Sequence, residues 1–273
     1  MKVIYAMLLS AILFGCNNAE KTDVQATGSD TEAKESTGIR GAYVMKSHII
    51  NDGKKDTIFT GLKQLKIFTD KHMMYARVNP VDSVSSFGIG TYSSDTATVK
   101  EDVIYNASFS TIREASETFK LEIEKTPGGY KQVIHITDPN GQHAKHTEEY
   151  QSVSTAVKTP LDGSWKLIKS LTVRGKDTIT NKITQYKTYY AGHFIFGRTF
   201  RDAAKKTQTG IGYGSYEMNA TNKIKENVQA STYSALTGKS FDINIEMNGD
   251  DEYKQIINEA NGDISVEVYQ RIK

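Results

Sequence analysis

His72-Met-Met-Tyr-Ala-Arg77, Gly88-Ile-Gly-Thr-Tyr92 and Val99-Lys-Glu101 follow one another along the chain. The set returns as His193-Phe-Ile-Phe-Gly-Arg198, Gly212-Tyr-Gly-Ser-Tyr216 and Ile224-Lys-Glu226. Outward from these blocks the correspondence continues. Gly41-Ala-Tyr43 matches Gly163-Ser-Trp165, and Lys55-Asp-Thr-Ile58 matches Lys176-Asp-Thr-Ile179. Tyr130-Lys-Gln-Val-Ile134 matches Tyr253-Lys-Gln-Ile-Ile257, and Glu148-Glu-Tyr-Gln151 matches Glu267-Val-Tyr-Gln270. The offset stays within a few residues of 122. Each repeat is domain-sized, so this is a tandem duplication and not a solenoid. A repeated His, Arg, Gly-x-Gly-x-Tyr and acid imply two copies of one fold.

Within each copy the pattern is that of strands. Phe119, Leu121 and Ile123 fall on one face, with Lys120, Glu122 and Glu124 on the other; Phe241, Ile243 and Ile245 repeat this. Turn signals such as Asn51-Asp-Gly53, Pro127-Gly-Gly129, Asn140-Gly141 and Asn248-Gly249 separate short runs. Fifteen tyrosines, ten phenylalanines and only four prolines suit an all-β chain. Eight to ten short antiparallel strands per copy point to a closed meander, because closure removes aggregation-prone edges. Such a barrel is wide enough for one small ligand. A two-sheet sandwich satisfies the same alternation. The fold expectation is all-β, two tandem antiparallel β-barrels.

The formal charge of +2, with acids and bases nearly balanced, argues against a nucleic-acid partner. The single cysteine, Cys16, permits no intramolecular disulfide. Met1-Lys2 is a short positive segment, and the apolar run from Val3 to Phe14 is too short to span a bilayer comfortably. Leu13-Phe-Gly-Cys16 resembles the bacterial lipobox, with Phe14 in place of the usual small residue. This implies lipidation of Cys16 and anchoring to a membrane of the bacterial cell envelope, the outer membrane or an exported location. The organisation expected is a signal peptide over 1–15 and a lipidated, polar tether over 16–38. Barrel 1 then covers 39–153, a linker 154–162 and barrel 2 163–273.

Gly163-Ser-Trp165 together with Tyr269-Gln-Arg271 resembles the calycin signature of lipocalins, in which a terminal Arg packs over the Gly-x-Trp indole. The His…Arg, Gly-x-Gly-x-Tyr and Lys-Glu series is similar to the lipocalin-like domain family of bacterial envelope proteins. In copy one Tyr43 replaces the Trp and Ser152 stands where Arg271 aligns. The resemblance implies small ligand-binding barrels and supplies no catalytic residue.

Alternation places Phe194, Phe196, Arg198 and Phe200 on one face, and Met73, Tyr75 and Arg77 on its equivalent. Glu101 shares a face with Val99 and Val103, and Glu226 with Ile224 and Val228. A carboxylate on an apolar face needs a partner. The expectation is that the Arg and Glu of each copy meet inside, with Tyr92 and Tyr216 beside them. The candidate ligand-binding residues are therefore Tyr75, Arg77, Tyr92 and Glu101 in copy one, and Phe196, Arg198, Tyr216 and Glu226 in copy two. Paired glycines such as Gly88 and Gly90 permit curvature or close approach. Together with Met73 and Tyr75 they lead us to expect the larger cavity in copy one. The run Arg198, Arg201, Lys205 and Lys206 reads as a solvated loop. His135, His143 and His146 have no counterparts in copy two, and no metal or cofactor is expected. No Gly-x-Ser-x-Gly elbow is present.

The first functional reading is a non-catalytic, lipid-anchored protein that holds a small hydrophobic or amphiphilic molecule in barrel cavities. The alternative is a structural or assembly protein of the envelope with solid barrels. A barrel-fold hydrolase or isomerase ranks third.

Overall fold

The computed structural model describes residues 38–79, 85–108, 111–137, 141–219, 222–259 and 261–273. The signal and lipidation expectations, Cys16 included, lie outside these residues. Every element described is a β-strand. Barrel 1 comprises β1 (Gly41–Asn51), β2 (Asp56–Thr60), β3 (Lys63–Phe68), β4 (His72–Val78) and β5 (Ser86–Ser94). It continues through β6 (Thr98–Ser108), β7 (Ile112–Arg113), β8 (Glu117–Thr126), β9 (Gly129–Thr137) and β10 (His143–Ser152). Barrel 2 comprises β11 (Gly163–Arg174), β12 (Asp177–Thr180), β13 (Ile183–Tyr190), β14 (His193–Arg201) and β15 (Thr207–Met218). It ends with β16 (Lys223–Ser231), β17 (Ser240–Asn248), β18 (Glu252–Asn258) and β19 (Ile264–Arg271).

Eight strands close each barrel. In the first, β1, β3, β4, β5, β6, β8, β9 and β10 pair in turn and β10 returns to β1. In the second, β11 and β13 to β19 do the same, with β19 returning to β11. The short strands β2, β7 and β12 hang on the outside. Bulges recur at matching places: Met45/Ser47 and Leu167/Lys169, then Ile89/Gly90 and Tyr213/Gly214. A bulge bends its strand and raises the local twist, which helps a sheet of this width to close. At Gly90 a Cβ would collide with the backbone of Asp102, and at Gly214 with that of Asn227. The glycines are there for close approach.

The two barrels share a seam. Leu65, Ile67, Met74, Ala76, Phe87, Ile89, Tyr105 and Ala107 point out of barrel 1 and are buried with Tyr186, Ile195, Ile211, Tyr213 and Ala230 of barrel 2. Strands β3, β4, β13 and β14 are therefore buried on both faces, and their burial runs nearly continuous where one-sided strands alternate. Phe87 lies against Gly197, where a Cβ would meet its ring. Among the described residues, three side-chain hydrogen bonds cross the seam. Tyr105 OH and Thr199 Oγ1 are 2.6 Å apart, Thr209 Oγ1 donates to Ser108 O at 2.8 Å, and Thr188 Oγ1 contacts Met74 Sδ at 3.3 Å.

Phe87→Ala is expected to lower global stability by about 3–5 kcal/mol through lost burial and a residual cavity. Gly197→Leu is expected to destabilise as well, by driving a side chain into the Phe87 ring. Urea denaturation of both variants tests this. Wild-type midpoints would mean that the seam contributes nothing.

Candidate functional site

Each barrel is closed at one end by aromatic rings. In barrel 2, Trp165 is fully buried and its indole Nε1 donates to Leu161 O at 2.7 Å. The Arg271 guanidinium lies 4.0 Å from the indole centroid and donates to Pro160 O and Asp162 O at 2.8 and 2.6 Å. This is the cation–π closure that the calycin resemblance implies. In barrel 1 Tyr43 takes the Trp position and meets Tyr130 edge-on at 4.9 Å. Tyr92 and Tyr216 belong to this same closed end. Tyr92 OH donates to Thr69 O and Tyr216 OH to Asp162 Oδ1, each at 2.6 Å. Burial raises both phenol pKa values above the ordinary range.

Arg77 stands at the opposite end, paired across the ladder with Ser86. Tyr92 is six residues further along the same strand, on the order of 20 Å at a strand's rise. The expected Arg–Glu–Tyr constellation is thus not one site. Glu101 does face inward, but its partner is Lys66, 2.5 Å away and equally buried. The Arg and Glu of each copy do not pair. The strand β3 lysine was not among the sequence candidates, because Lys63-Gln-Leu-Lys-Ile-Phe68 gives no clean alternation.

From Lys66 a chain of polar groups crosses the barrel interior. Lys66 Nζ donates to Gln132 Oε1 at 3.3 Å, and Gln132 Nε2 donates to Glu148 Oε2 at 2.6 Å. Tyr150 OH donates to the same oxygen at 2.8 Å and accepts from Gln64 Nε2 at 2.5 Å. Arg77 completes the chain: its Nε donates to Gln64 Oε1 at 2.6 Å and its Nη2 to Glu148 Oε1 at 3.3 Å. Barrel 2 repeats the members one for one as Lys187, Glu226, Gln255, Glu267, Tyr269, Gln185 and Arg198. Lys187 pairs with Glu226 at 2.7 Å, Gln255 Nε2 donates to Glu267 Oε2 at 2.6 Å, and Tyr269 OH donates to that oxygen at 2.5 Å. Tyr189 OH adds a bond to Glu226 at 2.5 Å, where barrel 1 has Phe68.

Burial raises the Glu101 carboxyl pKa, against the opposing pull of Lys66. Burial also pushes the Tyr75 phenol up to about 12. Its ring lies on Gly88, and the Phe196 ring lies on Gly212. These glycines hold rings and leave no void. The expected larger cavity of copy one is replaced by packed side chains, Phe68, Tyr130 and Tyr150 among them. Two open clefts of about 270 Å³ each lie outside both interiors.

The Arg77 end is the mouth of barrel 1. Strands β8 and β9 pair only from Glu122↔Val133 to Thr126↔Gly129, so they part toward that end, as β17 and β18 do in barrel 2 beyond Asn244↔Ile256. Phe119 and Ile134 stay half-buried on either side of that gap, and the Arg77 side chain keeps 23% of its surface exposed. His48 and His146 sit beside it, Nε2 to Nδ1 at 3.0 Å, with His48 Nε2 3.9 Å from Glu148 Oε1. One of the two clefts lies at the same rim, lined by Asn51, His135, Ile136, His143, Ala144 and Lys145. Arg201, Lys205 and Lys206 are exposed, but Arg198 leaves that run and turns inward.

Residues 160–273 match the model of a family described as "Domain of unknown function (DUF4488)". No curated protein matches the chain. Among solved structures, it is similar to a protein of unknown function from the DUF3598 family of Nostoc punctiforme. Identity there is 10%, the alignment covers 85% of this chain and 96% of that one, and the TM-score is 0.26. It is also similar to isotype 1 transferrin binding protein B from serogroup B Neisseria meningitidis. There the identity is 7%, the cover 80% of this chain and 60% of that one, and the TM-score 0.27. Likeness at these TM-scores bears no weight on function.

Lys66→Met is expected to cost about 3–5 kcal/mol by leaving the Glu101 carboxylate buried without its ion partner. The double change with Glu101→Leu should recover most of that loss in chemical denaturation. A double variant as unstable as the single would show that the pair is not the relevant contact.

His48 and His146 are held below the ordinary histidine pKa, chiefly by burial. Below about pH 6.5 the unfolded chain takes up protons that the folded pair refuses. Stability present above that pH is therefore lost as pH falls toward the folded values. The raised Glu101 value acts with the opposite sign, its contribution fading as pH rises. Burial lowers His72 and His193 as well. Replacing His48 and His146 by Gln should thus remove about half of the drop in urea midpoint between about pH 7.5 and pH 5.5.

Proposed function

We propose that this chain is a non-catalytic binding protein of the bacterial envelope, tethered through a lipidated Cys16. It grips the polar end of a small amphiphile at the mouth of barrel 1 and does not take the molecule into the barrel. The observation that carries this reading is the position of Arg77. It is the member of the buried polar chain that reaches solvent, at the end where β8 and β9 part between the apolar side chains Phe119 and Ile134. An anchoring cation beside half-buried apolar surface suits a head group with an acyl or other hydrophobic tail. Lys145, His135 and His143 along the rim cleft favour an anionic head.

A second reading has its own support. The filled interiors and the apolar seam suit a rigid envelope scaffold whose outer surface does the work. One experiment separates the two. Native mass spectrometry of the full chain purified from its own envelope should show a retained small molecule under the binding reading. Arg77→Met should reduce that retention at least tenfold, while Arg77→Lys, which keeps the charge opposite Glu148, should reduce it less. A wild-type protein that carries nothing and takes up no added fatty acid would leave the scaffold reading standing alone.

A further inference from the structure

At its arginine the seven-residue polar chain is closed in barrel 1 and open in barrel 2. Arg77 Nε meets Gln64 Oε1, but the equivalent atoms, Arg198 Nε and Gln185 Oε1, are both buried without a hydrogen-bond partner. Glu148 uses both carboxylate oxygens, one of them for Arg77. Glu267 makes its hydrogen bonds, to Gln185, Gln255 and Tyr269, through Oε2 alone. A donor, an amide acceptor and a carboxylate that close on one another in one copy are thus held apart in the other.

The cause is visible in the loop between β16 and β17. Tyr233 lays its ring over Gly210, where barrel 1 has Ser86. The Arg198 guanidinium is drawn between two rings, 5.5 Å from Phe196 and 5.5 Å from Tyr233. Leu236 folds back onto the barrel 2 core, and the loop is fixed at its ends by Tyr233 N to Ser231 Oγ (3.0 Å) and Gly238 N to Val228 O (2.8 Å). Ser234, Ala235, Thr237 and Gly238 between and beyond these anchors are exposed. The aromatic cover is a short surface loop, not part of the barrel wall.

We propose that the mouth of barrel 2 is a second, gated site for a hydroxyl-rich ligand of the saccharide class, with Tyr233 as its gate. Buried polar groups left unpaired call for an occupant that pairs them. A carboxylate would satisfy Arg198 and leave Gln185 Oε1 unpaired; an ammonium would do the reverse. A hydroxyl both accepts and donates, so one such group bridges Arg198 Nε and Gln185 Oε1, and a neighbouring hydroxyl donates to Glu267. The ring of Tyr233 offers a flat face for the carbon side of a sugar. The same chemistry is found in a free sugar and in the head of a glycolipid. The inference rests on barrel 2 alone and is independent of the barrel 1 reading.

Saturation-transfer NMR on the full chain with maltose, and with octyl glucoside below its micelle concentration, tests it. Transfer to either probe is expected in the wild type. Maltose alone points to free sugar, and octyl glucoside alone to a glycolipid head. Arg198→Met should weaken binding at least tenfold, while Arg198→Lys, which keeps a cation near Glu267, should weaken it less. Tyr233→Ala should retain binding and speed exchange. Absence of transfer in both the wild type and Tyr233→Ala would overturn the proposal and leave a buried water as the occupant. Transfer abolished by Arg77→Met but untouched by Arg198→Met would also overturn it, while supporting the barrel 1 site. Loss in Arg198→Met alone upholds this site whatever becomes of the other.

Discussion

A lysine and a glutamate locked together inside a β-barrel constrain almost everything around them. Lys66 and Glu101 lie on strands that are not neighbours, and each side chain is shut away from water. Neither charge is tolerable alone in that setting, so the partners must arrive together. Their meeting fixes the registers of β3 and β6. Through Gln132, Glu148 and Tyr150 it also fixes those of β9 and β10. A slip of one residue on any of these strands would turn its member of the chain to the outside. An apolar filling would hold the barrel as firmly but would not choose one register over another. The polar chain supplies that choice, and the second barrel repeats it through Lys187 and Glu226.

The seam adds a second constraint, because strands that face it must be apolar outside while carrying the polar chain inside. In β3, Leu65 and Ile67 face the seam while Gln64 and Lys66 point into the barrel. The sidedness of an isolated surface strand is inverted there: charge inward, hydrocarbon outward. In β14 Phe194 and Phe196 face the barrel 2 core, Ile195 faces the seam, and a glycine, Gly197, admits the Phe87 ring of the other barrel. The pairing of the barrels and the polarity of their interiors are therefore one problem solved by the same few strands.

This inversion explains what could be read in the sequence and what could not. The duplication and its short alternating strands were legible at β8 and β17, where one face is wet: Phe119, Leu121 and Ile123 alternate with charges and define the strand without ambiguity. The Trp165–Arg271 closure was legible because both partners belong to a recognisable short pattern. The inward glutamates were placed correctly from their apolar neighbours. Their partner was not, since an Arg on a nearby strand was the visible cation and Lys66, set among Leu65, Ile67 and Phe68, looked like a stray charge in a buried run. The clue available was that Gln-x-Lys recurs in it as Gln64/Lys66 and Gln185/Lys187. The seam itself announced its strands only through the continuous apolar runs Met73-Met74 and Phe194-Ile195-Phe196. A run of that kind says that both faces are buried and is silent about what covers the second.

The two copies have kept the middle of the barrel and diverged at its ends. At the closed end barrel 2 has Trp165 under Arg271, while barrel 1 makes do with Tyr43 against Tyr130. At the mouth the difference runs through one arginine. Arg77 is held by Gln64 and Glu148 beside a histidine pair; Arg198 is drawn out of the polar chain to lie between the rings of Phe196 and Tyr233. A duplicated arginine kept solely to neutralise the inner glutamate would be expected to do so in both barrels. It does so in one only, and the groups it abandons in the other are left unpaired. The interior network therefore needs its lysine in both copies and its arginine in one. That asymmetry is what marks the mouths, and not the barrel interiors, as the part of this fold free to take up separate tasks.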